Sequence, residues 1–202
     1  EQTSDLAYGS VLAILEHCQL GNDYLLGLDR IMHRDAPGKM SALAGAPSAR
    51  DGARTTFQHF DETGHFTSLR LKSAHATMLL NVPKRYESDA GSMETTTMYA
   101  PGEESVAEAT HQYAQAVEAG LVEDPRLYFD HLQAAESHDI KTVSGLRSAI
   151  EEASGDALEF TDVPAIMSQF RDPTLDKNRL RRFWLNQRRR TGRRWLAEDV
   201  WE

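Results

Sequence analysis

Two acidic side chains stand next to each other at Asp61-Glu62, directly after the β-rich run Thr55-Thr56-Phe57-Gln58-His59-Phe60. Successive side chains leave a strand in different directions. At the C-terminal end of a parallel strand both reach the ligand crevice. One carboxylate can then organise a Mg2+ shell while the other polarises an attacking water, chemistry in which metal and positioning dominate. A strand that simply ends at the surface makes the same pattern. A second group is Thr95-Thr96-Thr97, following Met93-Glu94. Hydroxyls at a strand end hydrogen-bond phosphate oxygens or a lytic water, although threonine also fills strands by β-propensity alone. A third group is basic: Arg179, Arg181 and Arg182 beside Phe183 and Trp184, then Arg188, Arg189, Arg190, Arg193 and Arg194. Aromatics among arginines suit phosphate contact and base stacking. The plain alternative is a solvated helix face docked by its apolar stripe, with the acidic body of the chain as the tail's partner. His59 and His65 flank the acidic pair, but no cluster has a known zinc-ligand spacing.

These groups need elements to position them. Leu6–Leu15 reads as a helix, with Tyr8, Val11, Leu12 and Leu15 on one face and Thr3 or Ser4 as its cap. Gly27–Ile31 and Lys39–Leu43 read as two short strands around the turn Asp35-Ala36-Pro37-Gly38. Residues 44–52 form a small-residue loop, Leu69–Leu80 a helix, and Ser92–Met98 a strand. Ser105-Val106-Ala107-Glu108 is a capping box, followed by Ala109, Tyr113, Ala116 and Val117 on one helical face and closed by Gly120. Arg126–Asp130 reads as a further strand. Strands alternating with helices predict a mainly parallel α/β sheet. After about residue 135 the pattern turns helical. Leu146–Ala153 ends at Gly155. Thr161 caps a helix carrying Val163, Ile166, Met167 and Phe170. Asp176 caps Lys177–Gln187 with an apolar stripe of Leu180, Phe183 and Trp184. A soft boundary falls at 121–135.

The bulk properties set the frame. The chain has 202 residues, 40% hydrophobic and 26% charged, an ordinary globular composition for one domain with an appendage. It holds no run of 18 apolar residues, and its first residues lack the pattern of a signal peptide. It does not begin with Met, so a true start upstream is expected. The single cysteine, Cys18, excludes an internal disulfide and a cysteine-based zinc site, which predicts a reducing compartment. From residue 171 onward, ten Lys+Arg face five Asp+Glu, whereas the first 170 residues carry 12 basic and 26 acidic side chains. An acidic body with a basic tail points to an anionic partner near the C-terminus.

In order along the chain, several pieces share one resemblance. Arg50–Phe66, with its Asp-Gly-Ala-Arg-Thr-Thr-Phe run, acidic pair, Thr and His, resembles the Walker B region of bacteriophage terminase large subunits. Glu94–Glu108 looks like their coupling motif and the helix behind it. Leu127-Tyr128-Phe129-Asp130-His131, Asp172-Pro173 and Arg181–Gln187 are similar to the arm that precedes their nuclease. The resemblance implies an α/β fold, a partial P-loop NTPase (ASCE-type) sheet with flanking helices followed by a helical lid or linker. Residues 1–125 would be the C-terminal half of the ATPase domain, and 126–202 the lid/linker leading to the nuclease.

The family comparison also implies roles. Asp61 would hold the Mg2+ shell and Glu62 would be the catalytic carboxylate. Thr95, Thr96 and Thr97 would couple the γ-phosphate state to lid movement, with the choice among them open. Arg50 or Arg54, with a preference for Arg50, would be offered to a neighbouring subunit's ATP. Arg188, Arg189, Arg190, Arg193 and Arg194 are the candidate DNA contacts. The implied cofactors are ATP and Mg2+. The implied partners are duplex DNA, the portal protein, the small terminase subunit and further copies in a homo-oligomeric ring, in the host cell cytoplasm and away from membranes.

The departures are as informative. No G-x-x-x-x-G-K-[ST] occurs; Gly38-Lys39 is the nearest fragment. The chain ends at Trp201-Glu202, about where a two-metal nuclease would begin. Gly64 replaces a bulkier residue common in the family after the acidic pair and Thr. The expectation is a segment of a longer protein that by itself binds ATP poorly and cuts no DNA. Two rivals remain: a non-catalytic DNA- or capsid-binding fragment acting through the arginine cluster, and a small metal-dependent hydrolase using His59, Asp61, Glu62 and His65.

Overall fold

A computed structural model describes residues 2–43 and 55–189. The fold is mixed α/β, with six α-helices and two small sheets among the described residues. The chain divides into two compact units: Glu1–Thr63 with Ser68–Thr95, and Gly64–Thr67 with Thr96–Glu202. The packing boundary therefore lies inside the threonine trio.

In the first unit, α1 (Gln2–Glu16) buries Tyr8 and half-buries Val11, Leu12 and Leu15, the face the spacing predicts. It begins at Gln2, so Thr3 and Ser4 lie within its first turn rather than capping it. The Tyr8 hydroxyl donates to Gly27 O at 2.6 Å, tying the helix to an antiparallel meander. That meander is β1 (Tyr24–Leu26), β2 (Arg30–His33) and β3 (Lys39–Ser41). Gly27-Leu28-Asp29, expected within a strand, is instead the turn between β1 and β2, closed by Gly27 N–H on Arg30 O at 3.1 Å. Asp35–Gly38 turns as expected, with His33 Nδ1 accepting from the amides of Asp35 and Ala36, each at 3.1 Å.

A second sheet joins β4 (Phe57–Asp61) and β5 (Gly91–Thr95) in parallel, pairing Phe57 with Gly91 and Asp61 with Thr95. Between them runs α2 (Leu69–Leu79), capped by Ser68 Oγ, which accepts from Leu71 N at 3.3 Å. A parallel pair needs such a crossover. β4 alternates as a half-buried strand should, with Gln58 and Phe60 inside and Phe57 and His59 exposed. Gln58 Nε2 donates to Met78 O at 2.9 Å, so the strand's one buried amide anchors α2. The Phe60 ring meets His75 edge-on, centroids 4.5 Å apart. Among the described residues this is the only parallel pairing, far short of the mainly parallel sheet that the alternation predicts. The remaining strands close on themselves as a hairpin-linked meander.

The second unit is mainly helical. α3 (Val106–Glu118) starts at Ser105, whose Oγ accepts from Glu108 N at 3.2 Å. The Glu108 carboxylate does not return to Ser105 as a full capping box would; it accepts from Gly102 N and Glu104 N, each at 2.8 Å. The buried side of α3 is Val106, Ala107 and Ala114, not the Ala109–Tyr113 face; Tyr113 instead donates to Asp124 Oδ2 at 2.8 Å. Alanines on both faces hid the stripe. Gly120, at φ 71, ends the helix as expected.

Arg126–Asp130 forms no strand: Asp124 takes the Arg126 amide, and Tyr128 is 87% exposed, so this run has no ladder and no buried face to serve. α4 (Val143–Ser154), α5 (Val163–Arg171) and α6 (Lys177–Leu185) pack around Leu146, Ile150, Ile166, Met167, Leu180 and Leu185. Thr142 caps α4 (Gly145 N to Oγ1, 3.0 Å). Asp162, one residue after the expected Thr161, caps α5 (Ala165 N to Oδ1, 3.0 Å). Asp176 caps α6 as expected (Asn178 N to Oδ1, 2.8 Å). Leu185 is wholly buried while Phe183 is 54% exposed, so the α6 stripe runs Leu180, Trp184, Leu185. Among the described residues no helix is long and apolar enough to cross a membrane.

Candidate functional site

The acidic pair closes β4, but its two members leave the strand differently. Asp61 is the last paired residue, and its half-buried carboxylate accepts from Thr95 Oγ1 at 2.9 Å across the parallel register. Glu62 N–H donates to Thr95 O at 2.7 Å, one step past the strand, and Glu62 adopts φ 56. A left-handed non-glycine residue costs on the order of 1 kcal/mol and marks a position that the surroundings impose. The turn follows because Thr63 beyond it is fully buried and starts a short 3-10 turn, Thr63–His65.

His59 lies two residues before Asp61, hence on the same strand face. Its Nε2 stands 2.8 Å from Thr95 Oγ1. Because the Thr95 hydroxyl proton is committed to Asp61, its oxygen accepts from His59. The three side chains form one relay, His59 to Thr95 to Asp61. Sequence reasoning placed His59 opposite Phe60 but did not draw the consequence that it shares the Asp61 face. A separate pair, His75 Nε2 and Glu94 Oε1, lies 2.9 Å apart in the same unit, almost enclosed; no spacing signal pointed to it.

The three threonines have three different environments. Thr95 meets the carboxylate. Thr96 Oγ1 accepts from Gly64 N at 3.0 Å and donates to Thr97 O at 2.8 Å. A Cβ on Gly64 would stand 2.8 Å from that same oxygen, so a side chain at this position would have to displace the Thr96 hydroxyl. Thr97 lines a cleft of about 430 Å³ that lies within the second unit, together with His65, Glu103, Asp176, Arg179 and Arg182. Among the described residues neither Arg179 nor Arg182 has a hydrogen-bond or ion-pair partner, and the Arg182 Nε is buried. Sequence reading placed these arginines in a basic group suited to phosphate contact, with a solvated helix face as the plain alternative. The i, i+3 spacing of 179 and 182, apart from 181, was the available signal.

The arginine cluster divides accordingly. Arg181 donates to Glu136 Oε2 at 2.9 Å and to Gln187 Oε1 at 2.7 Å, and Arg189 also bonds Glu136. Burial, and then the nearby Arg189, draw the Arg181 guanidinium below its ordinary value, with Glu136 opposing. Arg188 is exposed. Arg190, Arg193 and Arg194 lie outside the described residues, as do Arg50 and Arg54, the two candidates for a trans arginine.

No protein-family model, curated protein or solved structure matches this chain. Among the described residues, no group of three or more His, Cys, Asp or Glu side chains is placed to hold a metal ion, so His59, Asp61, Glu62 and His65 do not assemble one. A nucleotide-associated Mg2+ asks less, one or two carboxylates with waters and phosphates completing the shell. Asp61 beside a hydroxyl suits that. A phosphate-gripping loop is not offered by Gly38-Lys39, which enters β3 from a hairpin turn rather than opening a helix.

Proposed function

We propose that this chain is part of a viral DNA-packaging motor, in which Mg-ATP hydrolysis drives duplex DNA into a procapsid. The observation that carries the reading is the parallel β4–β5 pair, which ends on Asp61 hydrogen-bonded to Thr95 with Glu62 in the turn beyond. In a partial P-loop (ASCE-type) sheet this is the end from which an acid serves the metal shell and its neighbour orients water. Asp61 would hold the water shell of Mg2+, and Glu62 would accept the proton of the attacking water. Thr95, bonded to Asp61, is the member of the trio fitted to sense what the carboxylate binds; Thr96 fixes the Gly64 backbone.

ATP supplies the phosphoanhydride bond, and the phosphate grip comes from a sequence outside this chain. Portal protein, small terminase subunit and a homo-oligomeric ring are the partners this reading entails, with Arg50 or Arg54 offered in trans. The pairing of Arg181 and Arg189 with Glu136 favours the docked-helix role for that part of the cluster over direct DNA contact.

The test compares ATP turnover by this chain alone and by the chain joined to an upstream partner bearing a phosphate-binding loop. Turnover only in the joined form, with a raised Mg2+ requirement in Asp61→Asn, is expected. Magnesium-independent turnover, or a joined form indifferent to Asp61→Asn, would overturn the proposal.

A further inference from the structure

We infer that the cleft in the second unit is a binding site for a phosphate dianion, clamped by Arg179 and Arg182. The two guanidinium groups sit one helical turn apart on α6 and face the same cleft as Thr97. Among the described residues neither has an anionic partner, in contrast to Arg181 and Arg189, which share Glu136. The Arg182 Nε is buried without an acceptor. A buried donor on a charged group is costly to leave unmet. A guanidinium's donors match phosphate oxygens in pairs.

Two carboxylates also line the cleft, and they behave differently. Asp176 is already engaged as the α6 cap, accepting from Asn178 N. Glu103 is exposed. It opposes an anion from the rim and weakens the site, while the two guanidinium groups favour a doubly charged ligand over a singly charged one. His65, also exposed, lines the same cleft. About 430 Å³ is more than one phosphate requires and within the roughly 300–1,000 Å³ of small-ligand sites. Two sources fit that chemistry: free inorganic phosphate, and the terminal phosphate of a nucleotide. The geometry lies within one unit and stands whether or not the chain belongs to an ATP-driven motor.

Calorimetric titration of the whole chain with inorganic phosphate, and in separate arms with ADP and with ATP, tests this at constant ionic strength against chloride. Saturable binding is expected in at least one arm. Preference for inorganic phosphate identifies the free ion, and preference for ATP identifies the nucleotide's terminal phosphate. Arg182→Gln and Arg179→Gln should each weaken it about tenfold. Glu103→Gln, at an exposed position where misfolding is not at issue, should strengthen it several-fold. Far-ultraviolet circular dichroism checks that the arginine variants stay folded. The inference is overturned by the absence of saturable binding in every arm, by Glu103→Gln weakening it, or by binding that survives both arginine substitutions. Competition by short duplex DNA as strong as that by phosphate would also overturn it, replacing a dianion pocket with a general cationic surface.

Discussion

Replacing Thr95 by Val removes one hydroxyl from the middle of the His59–Thr95–Asp61 relay while keeping side-chain shape and β-branching. Two hydrogen bonds go, one of 2.9 Å to a carboxylate and one of 2.8 Å from an imidazole. A bond to a charged group contributes about 1.5–3 kcal/mol, and a neutral one roughly 1 kcal/mol. Asp61 is only half-buried, so water recovers part of the loss, and the net expectation is a destabilisation of about 2 kcal/mol. Thr95→Ser keeps the hydroxyl and loses a methyl, which costs about 0.5–1 kcal/mol. Urea unfolding followed by circular dichroism measures both. Exchange of the Glu62 amide, bonded to Thr95 O at 2.7 Å, reads the strand end directly and should accelerate in the Val variant. A double-mutant cycle with Asp61→Asn should return a coupling of about 1 kcal/mol. If Val and Ser variants unfold together and the cycle is additive, the relay does not hold the carboxylate and the argument from β4–β5 geometry fails.

Other consequences are as open to measurement. Gly64→Ala, which drives a Cβ against Thr96 Oγ1, should cost about 1–2 kcal/mol in urea unfolding, whereas Gly38→Ala meets nothing within 4 Å and should be near neutral. The Thr63 hydroxyl is buried with no partner among the described residues, so Thr63→Val should stabilise by about 1 kcal/mol; a loss instead would reveal a partner for it. Burial, and secondarily His131 and Arg188, hold the His111 imidazole below its usual value. The folded state therefore favours neutral His111, and its contribution is present above pH 6.5 and lost as pH falls below that value. His111→Phe should flatten the stability profile between pH 7 and 5. Glu136→Gln, which releases Arg181 and Arg189, should tighten duplex DNA binding at low salt; electrophoretic mobility shift reads this directly.

Much of the architecture was legible where periodicity and caps agree. Val163, Ile166, Met167 and Phe170 announce α5, and Asp176 announces α6, because burial and capping act within one turn of chain. The site was legible as a strand ending on Asp61-Glu62 and a threonine run near residue 95. What the spacing did not carry is tertiary. It gave no register, so Asp61 opposite Thr95 and the inclusion of His59 were not readable. It gave no ladder partner, so Arg126–Asp130 reads as a strand although nothing among the described residues pairs with it. Nor did it say which arginine meets which acid, since Glu136, 45 residues before Arg181, is brought close by long-range bonds such as Ala134 N–H to Leu185 O. Nor did the spacing place the Thr96 hydroxyl against Gly64, 32 residues away in sequence.

The most direct test of the motor reading is single-turnover hydrolysis of Mg-ATP by the loop-bearing joined protein with Glu62→Gln. The account predicts that nucleotide still binds while cleavage falls by about a hundredfold or more, the usual scale for removing a general base. Undiminished cleavage in that variant would remove Glu62 from the chemistry and contradict the account.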